Sequence, residues 1–331
     1  MPAPVGEIWG VRSQIGREVT PGTLVPATRI MYFQEPVVQD TGENMFHSFA
    51  TGTRDQTLEV TPTPKVIGGR VALPVSADEL LEVLNISVNG TPTITTPATG
   101  TTTRDHTFIP GDPASASLEL DDGARAWVAS GVRGNSIRIA GNVREDNIAT
   151  VDLFATDLVA QSLTGALTAR NPGFFTGQET RIYIGAFGAD PAGFTPVAGL
   201  LINWDINLTF NLGRKYTADN TLAATSIPSG VVGAESTFTF EATNAQALTA
   251  FTAHRNATKL TVRLEFGNNQ IIEAALKRTV WIDLPGAWIS KDLGGTDEGT
   301  RTYEFRHQYV RDNTQGYPYR IICRCARTAA F

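Results

Sequence analysis

Charge is scarce in this chain of 331 residues: Asp, Glu, Lys and Arg together make up 18%. Lysine is scarcer still, five residues against twenty-two arginines. The formal net charge of −6 argues against tight non-specific nucleic-acid binding, which needs a basic face to displace counterions, but not against a protein past which nucleic acid slides. There are two cysteines, Cys323 and Cys325. One residue apart on a strand, they point to the same face and are expected to stay reduced rather than to bridge. The four histidines, His47, His106, His254 and His307, have no Cys or carboxylate at metal-ligand spacing. No apolar run approaches the roughly 18 residues of a membrane span. The segment Met1-Pro2-Ala3-Pro4-Val5 lacks the basic and apolar regions of a secretory signal, so the four Asn-x-Ser/Thr sequons carry no message.

Catalytic patterns are missing too. There is no G-x-S-x-G elbow and no P-loop. Gly185, Gly188 and Gly193 do not have dinucleotide-loop spacing. The acidic pairs Asp121-Asp122 and Glu145-Asp146 lie at turns, where adjacent acids are solvated. The loop Gly294-Gly295-Thr296-Asp297-Glu298-Gly299 lacks the alternating oxygen ligands of a calcium loop. The expectation is a non-enzymatic chain with no cofactor, no metal and no catalytic residue.

What fills the space is Thr, Gly, Ala, Asn and Val, in period-two alternation. Trp204, Ile206, Leu208 and Phe210 alternate with Asp205, Asn207 and Thr209. Leu260, Val262, Leu264 and Phe266 alternate with Thr261, Arg263 and Glu265. Tyr303 to Tyr309 and Ala116 to Leu120 behave alike. Each set predicts an antiparallel strand with one apolar and one wet face. Hairpin turns are predicted at Asp122-Gly123 and at Gly267-Asn268-Asn269. Two helices are predicted: residues 77–85, with Ser76 and Glu79 as a capping box, and residues 245–255, capped by Asn244, with Leu248, Phe251 and Thr252 on one face.

The chain also echoes itself. Val66-Ile67-Gly68-Gly69, a strand and the first helix recur 165 residues on as Val231-Val232-Gly233-Ala234, a strand and the second helix. Ser136 to Gly141 echoes Val280 to Gly286. The reading is a mainly β chain of two tandem antiparallel β-sandwich or partial-barrel units, each with one flanking helix. Residues 1–50 form an N-terminal arm, 51–171 the first unit with an exposed loop insertion at 88–112, and 172–331 the second unit. Residues 291–300 form a Gly-rich acidic loop.

In this order the segments resemble the tail tube (major tail) proteins of long-tailed bacteriophages of the non-contractile kind. Trp9-Gly10-Val11 through Gly16-Arg17-Glu18-Val19-Thr20-Pro21-Gly22-Thr23 is similar to the family's N-terminal segment. Ser117-Leu118-Glu119-Leu120 through Gly134-Asn135-Ser136-Ile137-Arg138-Ile139 resembles its strand, hairpin and G-x-x-x-N-S-L strand. Asn207-Leu208-Thr209-Phe210-Asn211-Leu212, Ile282-Asp283-Leu284-Pro285 and Thr302-Tyr303-Glu304-Phe305-Arg306 resemble later strands. The resemblance implies a structural virion protein, assembled in the host cytoplasm into stacked rings around a channel through which double-stranded DNA passes without tight binding. It implies tape-measure and tail-tip partners. A duplicated chain implies three copies per ring with pseudo-six-fold symmetry. Asp205, Asn207, Thr209, Thr237, Thr239 and Glu241 are candidate lumen-facing residues. Thr91, Thr101, Asp297 and Glu298 mark candidate ring-contact loops. Other tail or capsid roles (terminator, baseplate, decoration) stay open, as does a carbohydrate-binding module using Trp281 and Trp288.

Overall fold

The structure, a computed structural model, describes residues 12–48, 57–218 and 221–329. Part of the expected N-terminal arm, including Trp9-Gly10-Val11, lies outside the described residues. The fold is mainly β, with antiparallel strands and two α-helices.

The first sheet takes β1 (Ser13–Arg17), β2 (Arg29–Met31), β9 (Ala116–Asp121), the first half of β10 (Ala126–Asn142) and β12 (Asp157–Ala160). Its order is β2-β1-β9-β10-β12. The second sheet adds β3 (Gln34–Asp40), β6 (Ile67–Pro74), β11 (Ile148–Phe154), β14 (Leu201–Thr209), β15 (Gly233–Glu241), β17 (Leu276–Asp297) and β18 (Thr300–Tyr309). Its order is β3-β6-β11-β10-β14-β15-β18-β17, using the second halves of β10 and β17. The third sheet runs β13 (Thr180–Ala186), β16 (Leu260–Glu273), the first half of β17, β19 (Arg320–Cys325), β8 (Arg104–Phe108) and β7 (Thr93–Thr95). A separate hairpin pairs β4 (Asn44–Ser48) with β5 (Thr57–Pro62). Traced pair by pair, the network branches at β10 and β17 and never returns to a strand already passed, so no sheet is closed.

The two long strands are the hinges of this layout. Strand β10 turns from the first sheet into the second at Gly131, whose φ of 63° is the left-handed region that glycine tolerates best. Register slips there against β9, and again between Gly134 and Ser136 against β11. Strand β17 has 22 residues and passes from β16 and β19 to β18 at Gly286. A Cβ at Gly286 would lie 2.1 Å from the Gln308 carbonyl oxygen, so only glycine lets the strands approach so closely.

Helix α1 (Ala77–Ser87) follows β6 and helix α2 (Ala245–Arg255) follows β15. Ser76 Oγ accepts the Glu79 N–H at 3.1 Å, as predicted, but the Glu79 carboxylate takes Arg170 and the Tyr32 N–H instead of closing a reciprocal box. Every residue of α1 is buried, charged ones included. Asp78 meets Arg278, Glu79 meets Arg170, and Glu82 meets Arg29 and Arg327. Asn244 caps α2 through the Gln246 N–H. Its buried residues are Ala247 and Ala250, with Phe251 packed on the core, while Leu248 is exposed; the predicted face is shifted by one residue.

Four sequence expectations change. Residues 88–112 are not one exposed loop: they carry β7, which is exposed as expected, and β8, which is sealed onto β19 with Phe108 and His106 fully buried. Residues 291–297 are strand, and the turn is only Glu298-Gly299, both at positive φ (44° and 85°), the two-residue hairpin geometry. Gly267-Asn268-Asn269 is a register irregularity inside β16, and the chain turns later, at Ala274. Finally, Ser136–Ala140 pair with β11 whereas Val280–Gly286 pair with β16, so that echo aligned different halves of the two long strands.

The predicted apolar faces are inside. Trp204, Ile206, Leu208, Leu260, Val262, Leu264, Phe266 and Phe305 are all buried, each contributing about 1.5–3 kcal/mol. Phe238, Phe240, Trp288, Phe305 and His307 form one aromatic cluster, with ring centroids 5.0–6.2 Å apart. The opposite faces of β9 and β16 are not wet. Ser117 and Glu119 are buried beneath residues 18–27 and 164, with Glu119 accepting the N–H groups of Ala27 and Thr164. Arg263 is buried against Asp283.

Candidate functional site

The second sheet presents one continuous polar face. Alternation and register together build it: Asp205 lies opposite Thr237 and Thr237 opposite Arg306, while Asn207 joins Arg138 to Glu235. Thr209 lies opposite Ser136, and Thr239 opposite Glu304. All six candidate residues, Asp205, Asn207, Thr209, Thr237, Thr239 and Glu241, therefore fall on the same face.

The sequence reading missed the arginines among them. Arg70 pairs with Asp152 at 2.8 Å and Arg138 with Asp205 at 2.6 Å; Arg306 hydrogen-bonds Glu235 at 2.7 Å. Hydrogen bonds to these carboxylates raise all three arginine pKa values. For Asp152, partial burial pushes the pKa up, yet the hydrogen bonds from Arg70 and Ser136 outweigh it and hold the carboxyl low. These pairs are largely exposed and screened by solvent, so they contribute little to stability. Their chemical effect is on the surface itself. Each guanidinium is already engaged by a carboxylate, which weakens it as a phosphate clamp. Asp292, Glu304 and Glu241 add negative charge on the same side. The arginines occupy the polar positions of their strands, a signal the sequence carried at period two.

The candidate contact loops make intramolecular contacts. Thr91 bonds Asn89. Thr101, with Thr102 and Thr103, is gripped by Glu273 at the tip of the β16–β17 hairpin, and the backbone N–H groups of Thr102 and Thr103 hold that carboxyl far below its ordinary range. Asp297 and Glu298 meet Arg144 of the β10–β11 turn at 3.2 and 3.1 Å.

His307 is buried among aromatic rings, its pKa lowered to about 3 by burial. Cys323 and Cys325 are free and buried on one face of β19, both thiols pushed up by burial. Among the described residues no three His, Cys, Asp or Glu side chains are placed to hold a metal, and no helix is long and apolar enough to cross a membrane. Trp288 is buried in the core, which removes it as a glycan platform. Trp281 donates to Glu265 at 3.0 Å and carries the Arg324 guanidinium 4.7 Å above its ring.

Two strands of the second sheet end the order with one side unpaired. Among the described residues β3 pairs only with β6, and residues 287–297 of β17 only with β18. An unpaired strand edge is a template for another strand.

No family model matches the chain, and no curated protein matches its sequence.

Proposed function

We propose that this chain is a structural, self-assembling subunit of the bacteriophage tail-tube kind, built from two tandem copies of one β unit. Copies join into rings, the rings stack into a tube in the virion tail, and the polar face of the second sheet lines the channel. The observation that carries the reading is that the pairing scheme repeats. In the first half β1 pairs with β9, β3 with β6, β6 with β11, and β10 with β9, β11 and β12. In the second half β13 pairs with β16, β14 with β15, β15 with β18, and β17 with β16, β18 and β19. Each half places its helix directly after the third strand of this scheme, β6 or β15. Each long strand slips register at the matching place, between Gly134 and Ser136 and between Trp288 and Ser290. The halves differ chiefly in what is inserted, residues 88–115 between α1 and β9 against residues 256–259 between α2 and β16.

The channel role follows from charge. Carboxylates outnumber arginines on the polar face, and Arg70, Arg138 and Arg306 are each engaged by one, so a passing duplex meets a hydrated wall that does not grip phosphate. Tape-measure and tail-tip proteins are the partners this reading carries. With two units per chain, a ring of six units needs three chains. Native mass spectrometry of isolated rings tests this: three copies are expected, and six copies per ring would overturn the pseudo-six-fold arrangement.

A further inference from the structure

Two strand pairs join the halves, β8 with β19 and β10 with β14, and both members of the second have a counterpart in the other half. Strand β10 of the first half pairs with β14 of the second, Ser136 opposite Thr209, Ile137 opposite Leu208 and Arg138 opposite Asn207. In the repeated scheme β10 corresponds to β17, and β14 corresponds to β3. Among the described residues, those are the two strands of the second sheet whose outer edges are unpaired. The molecule thus carries one used junction and both halves of an unused one.

We propose that the outer edge of β17 in one copy pairs antiparallel with the outer edge of β3 in the next, head to tail, in the register of the β10–β14 junction. The register follows from the pairings alone. Ser136, Ile137 and Arg138 lie opposite Asp152, Val151 and Thr150, as Ser290, Lys291 and Asp292 lie opposite Arg306, Phe305 and Glu304. Val38, Gln39 and Asp40 stand to Gly69, Gly68 and Ile67 as Ile206, Asn207 and Leu208 stand to Ser236, Glu235 and Ala234. Carried across, Lys291 faces Asp40 and Asp292 faces Gln39.

Side chains at the two edges fit a junction that is open until assembly. Inside the chain, Ile137 and Leu208 meet and are fully buried. At the free edges, their counterparts are Lys291 and Asp40, opposite charges that remain soluble while exposed and attract when brought together. The Lys291 ammonium sits 3.8 Å over the Phe251 ring of α2, which fixes it on the helix-covered side. Asp40 holds its strand end through Oδ1, which accepts the N–H groups of Gly42 and Val66. A groove of about 580 Å³ opens beside β3, lined by Val38, Gln39, Leu120, Trp127 and Leu158. Ile206 in the matching strand is fully buried, whereas Val38 is only partly so, as expected where a neighbour is still to come. The pairing makes a heterologous contact, which closes into rings or continues as a filament.

The proposal rests on the pairing scheme and not on the tail reading. Its test is disulfide trapping in the full chain. Gln39→Cys with Asp292→Cys, oxidised at assembling concentrations, is expected to give covalent dimers and trimers on a non-reducing gel. Each single variant should stay a monomer, as should the out-of-register pair Gln39→Cys with Ser290→Cys. Cys323 and Cys325 are buried and contribute no background. A Gln39→Cys single variant that dimerises would mean symmetric edge-to-edge pairing, and a folded, assembled double variant that stays monomeric would mean a different interface; either overturns the proposal. A charge swap gives a second reading: Asp40→Lys or Lys291→Asp alone should weaken assembly at least tenfold, and the two together restore it. Failure of the double variant to recover would count against the register. Trapped rings that never stack would remove the tube reading and leave the pairing standing.

Discussion

Asp283 is the group whose loss should be felt most. It sits in β17 with no exposed surface and accepts Arg263 Nε at 2.5 Å, Arg263 Nη2 at 3.0 Å and Arg320 Nε at 2.8 Å. Arg263 is 8% exposed and has no other ion-pair partner among the described residues, whereas Arg320 also reaches Asp190 at 3.7 Å. Asp283→Ala therefore leaves one guanidinium buried and unpaired. Breaking a buried pair in this way costs about 3–5 kcal/mol. At about 2–4 °C per kcal/mol for a chain of roughly this size, the melting temperature should fall by about 6–20 °C. Replacing both partners by apolar side chains, Arg263→Met with Asp283→Leu, removes the stranded charge and should recover most of the loss. Differential scanning calorimetry of the three variants decides it. An Asp283→Ala variant within about 1 kcal/mol of the parent would refute the claim that this pair is desolvated, and with it the buried second face of β16.

Two further outcomes are expected. Gly131→Ala places a Cβ 2.4 Å from Thr156 Oγ1 at a φ of 63° and should cost about 1–3 kcal/mol, measured by urea unfolding; an unchanged midpoint would mean that the bend in β10 sits elsewhere. His307 is held neutral by burial, its pKa lowered from 6.5 to about 3, so its neutral form contributes stability that is complete above about pH 6.5 and is lost as the pH falls toward 3. His307→Phe should flatten that part of the acid limb, by an amount on the order of 4 kcal/mol at pH 3, read from melting temperature against pH; parallel curves for parent and variant would contradict it.

The strands and both helix caps were legible because alternation and capping are local. Leu260 to Phe266 told which face of β16 is apolar. It could not tell that the opposite face would be covered too, so Thr261 and Arg263 read as wet although both are buried. The same holds for Ser117 and Glu119, covered by the chain before β2. Residues 88–112 read as a loop because β7 and β8 are short and polar; β8 is held as a strand by β7 and by β19, more than two hundred residues later. The six polar residues of β14 and β15 could be placed on one face from period two alone. The arginines that pair with carboxylates on that face come from β6, β10 and β18, and only the register brings them there. The sequence echo at the helices falls on a strand followed by a capped helix in both places. The echo in the long strands falls on different halves of them, because each spends its two halves in different sheets and composition does not mark the crossing.

The central claim is that this chain assembles through its own strand edges into hollow structures. Negative-stain electron microscopy of the purified protein across a concentration series tests it most directly. Rings with an open centre, stacking into tubes as concentration rises, are expected; single particles of one-chain mass at every concentration, unchanged when tail-tip complexes are added as initiators, would contradict it.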